Sequence, residues 1–499
     1  MLQKFTSIFI ALLLTVFLLG FPRGGYTEIP DFKYTLFLLI CGGYVIAVFV
    51  LRVMYVITAT QPLGKIKERV YGLQLPVKFL FLFLIFTIIS SILSVYPETF
   101  RGAFRQEGVL TIGIYVLSCF FVATYFKPHK WMLWVLGTSI VLVSALAFVQ
   151  LTGANPFTLY PEGHNYYGAG VYYSAEFLST IGNAGLLAGF MSLVVGIMAM
   201  ALIKFENKER WALAIPFFLA VLLIFSKGID AAVVALLAGF VIMVPVAITS
   251  QKTLVNTLIV LAIIVSAFSL SRILIFQDGP ILFAQVRIIF IIAVAFILLL
   301  AVFVSKISLF EKISAQKYRR GALGLIIGST FFAFMALMQY GGDSGWIYEA
   351  SQVLRGNWDD TFGTRRIFIW RNILEGMQLQ TLLFGTGPDT LGFWNIEPFS
   401  RYLEHLGFTL VTIIDAAHNE FLHILAMNGL LALMSYLGAL GAAAVTWIQK
   451  PENPLSAVSG AGVLFYAIQS FFGISQFIVA PFFWVCLGIL LFSQRSQNL

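Results

Sequence analysis

The sequence predicts an all-α polytopic membrane protein, with about twelve to fourteen transmembrane helices and a long external loop capping the bundle. Three observations carry that prediction. Of 499 residues, 60% are hydrophobic and only 11% are charged, whereas soluble domains carry about 25% charge. The apolar residues come in runs of roughly 20, the length that spans a bilayer. Strict apolar–polar alternation is absent, which argues against a β-barrel. The same composition excludes a disordered chain, a collagen and a coiled coil. Forty-nine phenylalanines suit a lipid-facing surface. Cys41, Cys119 and Cys486 all lie in apolar runs, so they read as core residues and not as a disulfide scaffold or zinc site.

In chain order the apolar runs fall at 5–21, 34–57, 76–95, 108–126, 131–151, 181–203, 211–226, 231–249, 254–276, 283–304, 321–340, 420–447, 455–473 and 476–493. Residues 1–340 thus form a first bundle of about eleven helices. Residues 341–417 are a long external loop, and 418–499 return to the membrane. The first run follows Lys4 and resembles a signal peptide. Phe21-Pro22-Arg23 stands where a small-x-small cleavage site would be, which favours a retained helix. Pro216 and Pro245 fall inside spans, where neighbouring helices can satisfy the freed backbone.

The basic residues assign sides. With the N-terminus inside, the inner loops hold Lys65, Lys67, Arg69 and Lys78, then Lys127 and Lys130, then Lys204, Lys208 and Arg210. Lys306, Lys312, Lys317, Arg319 and Arg320 follow on the same side. The outer loops are poorer, with Arg23, Lys33, Arg101, Arg105, Lys227, Arg272 and Arg287. This pattern puts both termini in the cytoplasm. The loop 341–417 carries Arg355, Arg365, Arg366, Arg371 and Arg401, but long loops translocate regardless of charge. Its tryptophans at 346, 358, 370 and 394 suggest a folded cap. A second outer segment, 152–180, is rich in tyrosine (160, 166, 167, 172, 173) and lacks Lys and Arg.

Chemistry-bearing residues cluster on that outer side. Gly363-Thr364-Arg365-Arg366 opens an amphipathic stretch in which Ile367, Trp370, Leu374 and Met377 recur at helical spacing. Thr364 reads as its N-cap. Two arginines in a first turn oppose the helix dipole unless an anion sits there, and phosphate suits both features. Asp415-Ala416-Ala417-His418-Asn419-Glu420 lies where the loop re-enters the membrane. Asp415 would cap the helix and place His418 in its first turn, where the dipole keeps imidazole neutral and able to accept a proton. His423 lies five residues on, on another face, and reads as structural. Ser226-Lys227-Gly228 sits between two spans, and Arg105 and Glu107 read as an exposed pair. Gly385-Thr386-Gly387-Pro388-Asp389 reads as a turn. There is no Walker A, no D-x-D and no kinase set, and Asp359-Asp360 is a solvated pair. Nothing in the sequence suggests nucleic-acid binding.

Taken in order, these motifs resemble the O-antigen ligase and polymerase family of bacterial envelope glycosyltransferases. Arg366-x-x-x-Trp370 followed by Leu383-Phe384-Gly385-Thr386-Gly387-Pro388 is similar to that family's R-x-x-x-W…GxGP segment. Ala417-His418-Asn419-Glu420-Phe421-Leu422 followed by Asn428-Gly429-Leu430 is similar to its H-N-x-x-L…G signature. Arg105-x-Glu107-Gly108 and Ser179-Thr180-Ile181-Gly182-Asn183 resemble weaker upstream patterns. The resemblance covers about residues 100–440. One departure stands out: Ser226-Lys227-Gly228 replaces the family's Ser-Arg-Gly/Ala, which keeps the charge and loses the bidentate fork.

The resemblance implies metal-independent, cofactor-free transfer of a glycan from an undecaprenyl-diphosphate carrier to an acceptor hydroxyl, with inversion. The reaction would take place on the external face of the bacterial cytoplasmic membrane. The acceptor would be a glycan, a lipid or a protein. Arg366 would hold the diphosphate, assisted by Lys227 and Arg365, and His418 would be the general base. Asn419, Trp370 and Arg105 would contact substrate or shape its site. A ligase is the first reading and a polysaccharide polymerase using the same donor the second. A polytopic transporter or flippase is the rival from another class, expected to show internal repeats and broken helices.

Overall fold

The computed structural model describes residues 1–58, 73–168, 176–279, 281–285, 287–307, 312–403 and 408–495. Lys65, Lys67, Arg69, Tyr172 and Tyr173 therefore lie outside the described residues. The chain is an all-α polytopic membrane protein. Among the described residues ten helices are long and apolar enough to cross a membrane, and Leu2–Phe17, Val109–Tyr125 and Ala480–Arg495 are shorter apolar helices.

The first run forms α1 (Leu2–Leu12), continued by a π-helical turn at Leu13–Phe17. Next come α2 (Ile29–Phe37), a π turn at Leu38–Gly42 and α3 (Gly43–Thr58). Then follow α4 (Leu75–Leu93), α5 (Val109–Tyr125), α6 (Trp131–Leu151) and α7 (Ala184–Lys204). Helices α8 (Ala214–Lys227), α9 (Asp230–Ala247), α10 (Gln251–Ile273), α11 (Ile288–Lys306) and α12 (Ala315–Met338) continue the bundle. A two-residue hairpin, β1 (Leu274–Ile275) with β2 (Leu282–Phe283), joins α10 to α11. Helix α7 is the hub, since its whole apolar window is buried. At Gly196 the backbone of another helix comes so close that an added Cβ would sit 2.5 Å from the Ala461 carbonyl oxygen. Small residues at such crossings let membrane helices pack by dispersion where lipid offers no hydrophobic drive. The three cysteines are buried and free.

Among its described residues, the segment 341–417 includes three helices and a hairpin. It holds α13 (Gly345–Leu354), α14 (Phe362–Glu375) and α15 (Leu379–Phe384). It also holds an antiparallel hairpin, β3 (Phe399–Leu403) with β4 (Phe408–Thr412), which the sequence reading did not foresee. A small second core of Ile369, Ile373, Leu391, Ile414, Ala417 and Met427 binds this cap to the returning chain. The buried face of α14 therefore differs from the expected one: Ile367, Ile369 and Ile373 are buried, whereas Leu374 is 56% exposed.

The expected span 420–447 is broken. Helix α16 (Glu420–Asn428) stops at Gly429, and α17 (Leu430–Gln449) starts afresh. Helices α18 (Pro454–Ser470) and α19 (Ala480–Arg495) complete the chain. Gly429 has φ +87° and ψ 170°, and a Cβ there would sit 2.4 Å from the Leu383 carbonyl oxygen. Hydropathy could not see this break, because both halves are apolar. Gly429→Ala is expected to destabilise the protein by about 1–3 kcal/mol, since that backbone region is essentially glycine-only. A lowered unfolding temperature in detergent would show it; an unchanged one would mean that the break relaxes at no cost.

Among the described residues, loops far apart in sequence meet in two groups. At one end Lys204 donates to Thr249 (3.1 Å), Lys252 pairs with Glu206 (2.9 Å), Arg210 donates to Asn256 (3.1 Å), and Arg319 reaches the Ile448 carbonyl. At the other, Tyr26 donates to the Ser179 carbonyl (3.1 Å), Asn165 to Asp278 (2.8 Å) and Ser94 to the Thr386 carbonyl (2.6 Å).

Candidate active site

The second end gathers most of the residues singled out in the sequence. Arg105 Nη2 donates to Asp415 Oδ1 at 2.7 Å, and both side chains are about a quarter exposed (23% and 24%). This corrects two expectations. Arg105 is not an exposed partner of Glu107, and Asp415 does not cap the helix. Glu107 turns inward and accepts from the Tyr115 hydroxyl (2.8 Å) and from the Phe477 N–H. The cap of α16 is Asn419: it has extended φ/ψ (−153°, 110°), and its Oδ1 accepts from Leu422 N at 3.0 Å. The residue immediately before the first helical turn has the geometry for capping, and Asp415 is too far back. Asn419 is 6% exposed and committed to this bond.

His418 then falls outside the helix, not in its first turn. Its φ is +49°, a left-handed conformation that costs a non-glycine residue about 1–3 kcal/mol. Trp370 Nε1 donates to the Ala417 carbonyl at 2.9 Å, and its ring packs edge-on against Phe471. Trp370 thus ties α14 to the residue next to His418. The imidazole is held at a pKa of about 4, first by burial and then by the positive charges of Arg105 and Arg366, with Asp415 opposing. Burial and guanidinium charge both favour the neutral, proton-accepting imidazole.

Arg366 is presented by a left-handed turn. Gly363, Thr364 and Arg365 all have positive φ (62°, 60°, 65°), so Thr364 provides no cap and regular helix begins after them. Glu349 on α13 accepts from Gly363 N at 2.8 Å, and Arg366 Nη1 donates to the Gly363 carbonyl at 2.7 Å. Burial lowers the pKa of the Arg366 guanidinium from its usual range, against the opposing charges of Asp230 and Glu349. Its Nε is buried without a hydrogen-bond partner, and so is Nε of Arg105. Two such donors in one neighbourhood are unusual, because native proteins pair nearly all buried polar groups.

The glycine motif braces this arrangement. Gly387 N donates to the Met427 carbonyl (2.9 Å), and a Cβ on Gly385 would sit 2.1 Å from the same oxygen. The two sequence signatures, around Gly385 and around Asn428-Gly429, therefore meet backbone to backbone. Asp389 at the end of that motif is buried and accepts from Phe104 N (2.9 Å) and Arg105 N (2.7 Å). Burial raises the pKa of its carboxyl, and these N–H bonds oppose the rise. Arg105 also lines a cavity of about 60 Å³ that includes Glu107, Asp389, Glu420 and His423 in its wall. His423 thus shares a cavity with Arg105, and its Nδ1 is buried without a partner. The sequence reading takes His423 as structural and Asp389 as part of a turn and does not single out Glu349, because none of these positions gives a local signal of the neighbours it meets in the fold.

Other expected residues make contacts of their own. Lys227 ends α8, with its ammonium 5.3 Å from the Tyr166 ring and within the field of Glu176. Arg365 is exposed and lies over the Phe399 ring at 5.0 Å. Asp360 pairs with Arg371 at 2.9 Å, and Asp359 accepts from Thr361. The Ser179–Asn183 segment is a brace: Ser179 N donates to Gln150 Oε1 (2.7 Å), and Asn183 caps α7. No protein-family model matches this chain, and no curated protein matches it significantly.

Proposed function

We propose that this protein transfers a glycan from an undecaprenyl-diphosphate carrier to an acceptor hydroxyl. The reaction takes place at the membrane face that carries the folded cap. The observation that carries the reading is the placing of His418 within the fields of Arg105 and Arg366, both of which keep an idle buried Nε–H. A neutral base beside two partly unsatisfied cations suits deprotonation of a hydroxyl next to a leaving diphosphate. The acceptor oxygen attacks the anomeric carbon, and its proton passes to His418. The carbon–oxygen bond to the diphosphate breaks, and the charge it releases is stabilised by Arg366. Left-handed backbone at His418 and before Arg366 fits the habit of functional sites to hold strained residues.

In this reading the end bearing Lys204, Arg210 and Lys252 faces a bacterial cytoplasm, and both termini lie there. The acceptor is a glycan in a polymerase, and a different lipid or a protein in a ligase. The ligase reading comes first. One observation favours the transporter rival: α16 and α17 are two pieces of one apolar stretch. The deciding experiment is purified protein in detergent with a polyprenyl-diphosphate glycan and candidate acceptors. Release of the carrier diphosphate with acceptor glycosylation supports the enzyme; donor left intact under all acceptors sinks it.

Two further outcomes are expected. Lys227→Arg keeps turnover, whereas Lys227→Ala weakens donor use by about tenfold or more if the ammonium meets phosphate. Equal rates in both variants would confine Lys227 to its Tyr166 contact. Activity should survive a chelator such as EDTA, and loss that is restored by a divalent cation would turn attention to Asp359 and Asp360.

A further inference from the structure

We propose that the bundle binds an anionic phospholipid at the end opposite the candidate active site, with its phosphate on Arg210. A cavity of about 610 Å³ opens there between α1, α6, α7, α18 and α19. That volume lies within the roughly 300–1,000 Å³ typical of small-molecule sites. Its walls are apolar, and include Leu14, Leu133, Phe190, Val458 and Cys486. Its polar lining carries His129, Lys130 and Arg210, with Glu206 the one carboxylate.

Arg210 is the informative residue. It is 6% exposed. Its Nη2 donates to Asn256 Oδ1 at 3.1 Å, and its guanidinium stands 4.9 Å from the Trp211 ring. Its Nε and Nη1 are buried without hydrogen-bond partners. A buried guanidinium with two idle N–H donors is costly, and an anion supplying oxygens would remove the cost. Asn453 and Glu206 of the same lining are engaged. Asn453 caps α18 through Leu455 and Ser456 N and also donates to the Ser493 carbonyl. Glu206 also lines the cavity and lies within the field of Arg210, but it is 82% exposed and paired with Lys252, so it leaves the two idle N–H donors of Arg210 unsatisfied. The polar lining is thus net cationic over an apolar cavity, which complements a phosphate attached to acyl chains and not a free ion.

The test uses the full chain in an uncharged maltoside detergent, titrated with dioleoyl phosphatidylglycerol while the thermal unfolding midpoint is followed. A ligand that binds only the folded state raises that midpoint saturably. Dioleoyl phosphatidylcholine and inorganic phosphate are the comparison arms. Phosphatidylglycerol is expected to give the largest shift, and Arg210→Gln to raise its half-saturating concentration by about tenfold or more. Leu133→Trp fills the cavity while leaving Arg210 in place, and is expected to weaken phosphatidylglycerol as well. The proposal is overturned if Arg210→Gln responds like the unaltered protein, or if phosphatidylcholine does as well as phosphatidylglycerol. It is also overturned if inorganic phosphate reproduces the whole shift. Should Arg210→Gln fail to fold, the lipid and phosphate arms on the unaltered chain, with Leu133→Trp, still decide.

Discussion

His418→Ala is expected to lower glycan transfer by about 10²–10⁴-fold while leaving donor binding nearly intact, since a positioned general base contributes on that scale. The pH dependence gives a sharper test. Imidazole accepts a proton only when neutral, so activity is lost as pH falls through its pKa. In the free protein that pKa is pulled down to about 4, by burial first and by Arg105 and Arg366 next. The acid limb of kcat/KM is therefore expected near pH 4, well below the ordinary histidine value of 6.5. Bound diphosphate would neutralise the two guanidinium charges and let the imidazole pKa rise. The acid limb of kcat, which reports the complex, is then expected at higher pH than that of kcat/KM. His418→Ala protein with unaltered turnover would remove the residue from the mechanism. Coincident limbs near pH 6.5 would contradict the electrostatic account of the site.

Arg366→Ala is expected to cost about 10²–10³ in turnover, the scale for removing one preorganised charge stabiliser. Here the loss extends to donor affinity, because a diphosphate carries its charge in the ground state too. Arg366→Lys should recover part of the rate, since it keeps the charge and loses the planar donors. The left-handed turn at Gly363–Arg365 is affected as well: with the Arg366 side chain gone, it loses the Nη1 bonds to the Gly363 carbonyl and the Thr364 hydroxyl and keeps those from Gly363 N to Glu349 and from Arg365 N to the Thr361 carbonyl. Kinetics of the alanine and lysine variants with a polyprenyl-diphosphate donor would check this. Equal activity in both and in the unaltered protein would move the diphosphate elsewhere, with Arg105 the next residue to substitute.

Much of the bundle was legible because hydropathy is a local property. Every one of the fourteen apolar runs contains a helix. Local chemistry was less reliable at helix starts. Thr364 and Asp415 were plausible caps by residue type, but capping depends on backbone angles that a residue name does not give. The β3–β4 hairpin escaped for a related reason: Phe399–Leu403 and Phe408–Thr412 are short and do not alternate cleanly.

The sequence by itself determined the solvent of this protein and where along the chain its apolar helices lie. It also put His418 and Arg366 in view, through their motifs. Only the tertiary structure decided what acts on them. Arg105 and Asp415 are paired although 310 positions apart, and Asp389 is fixed by N–H groups 284 and 285 positions away. Such pairings follow from how apolar helices pack and from which buried polar groups then need partners. No short window of sequence holds that information, because the partner is chosen by the fold and not by the neighbouring residues.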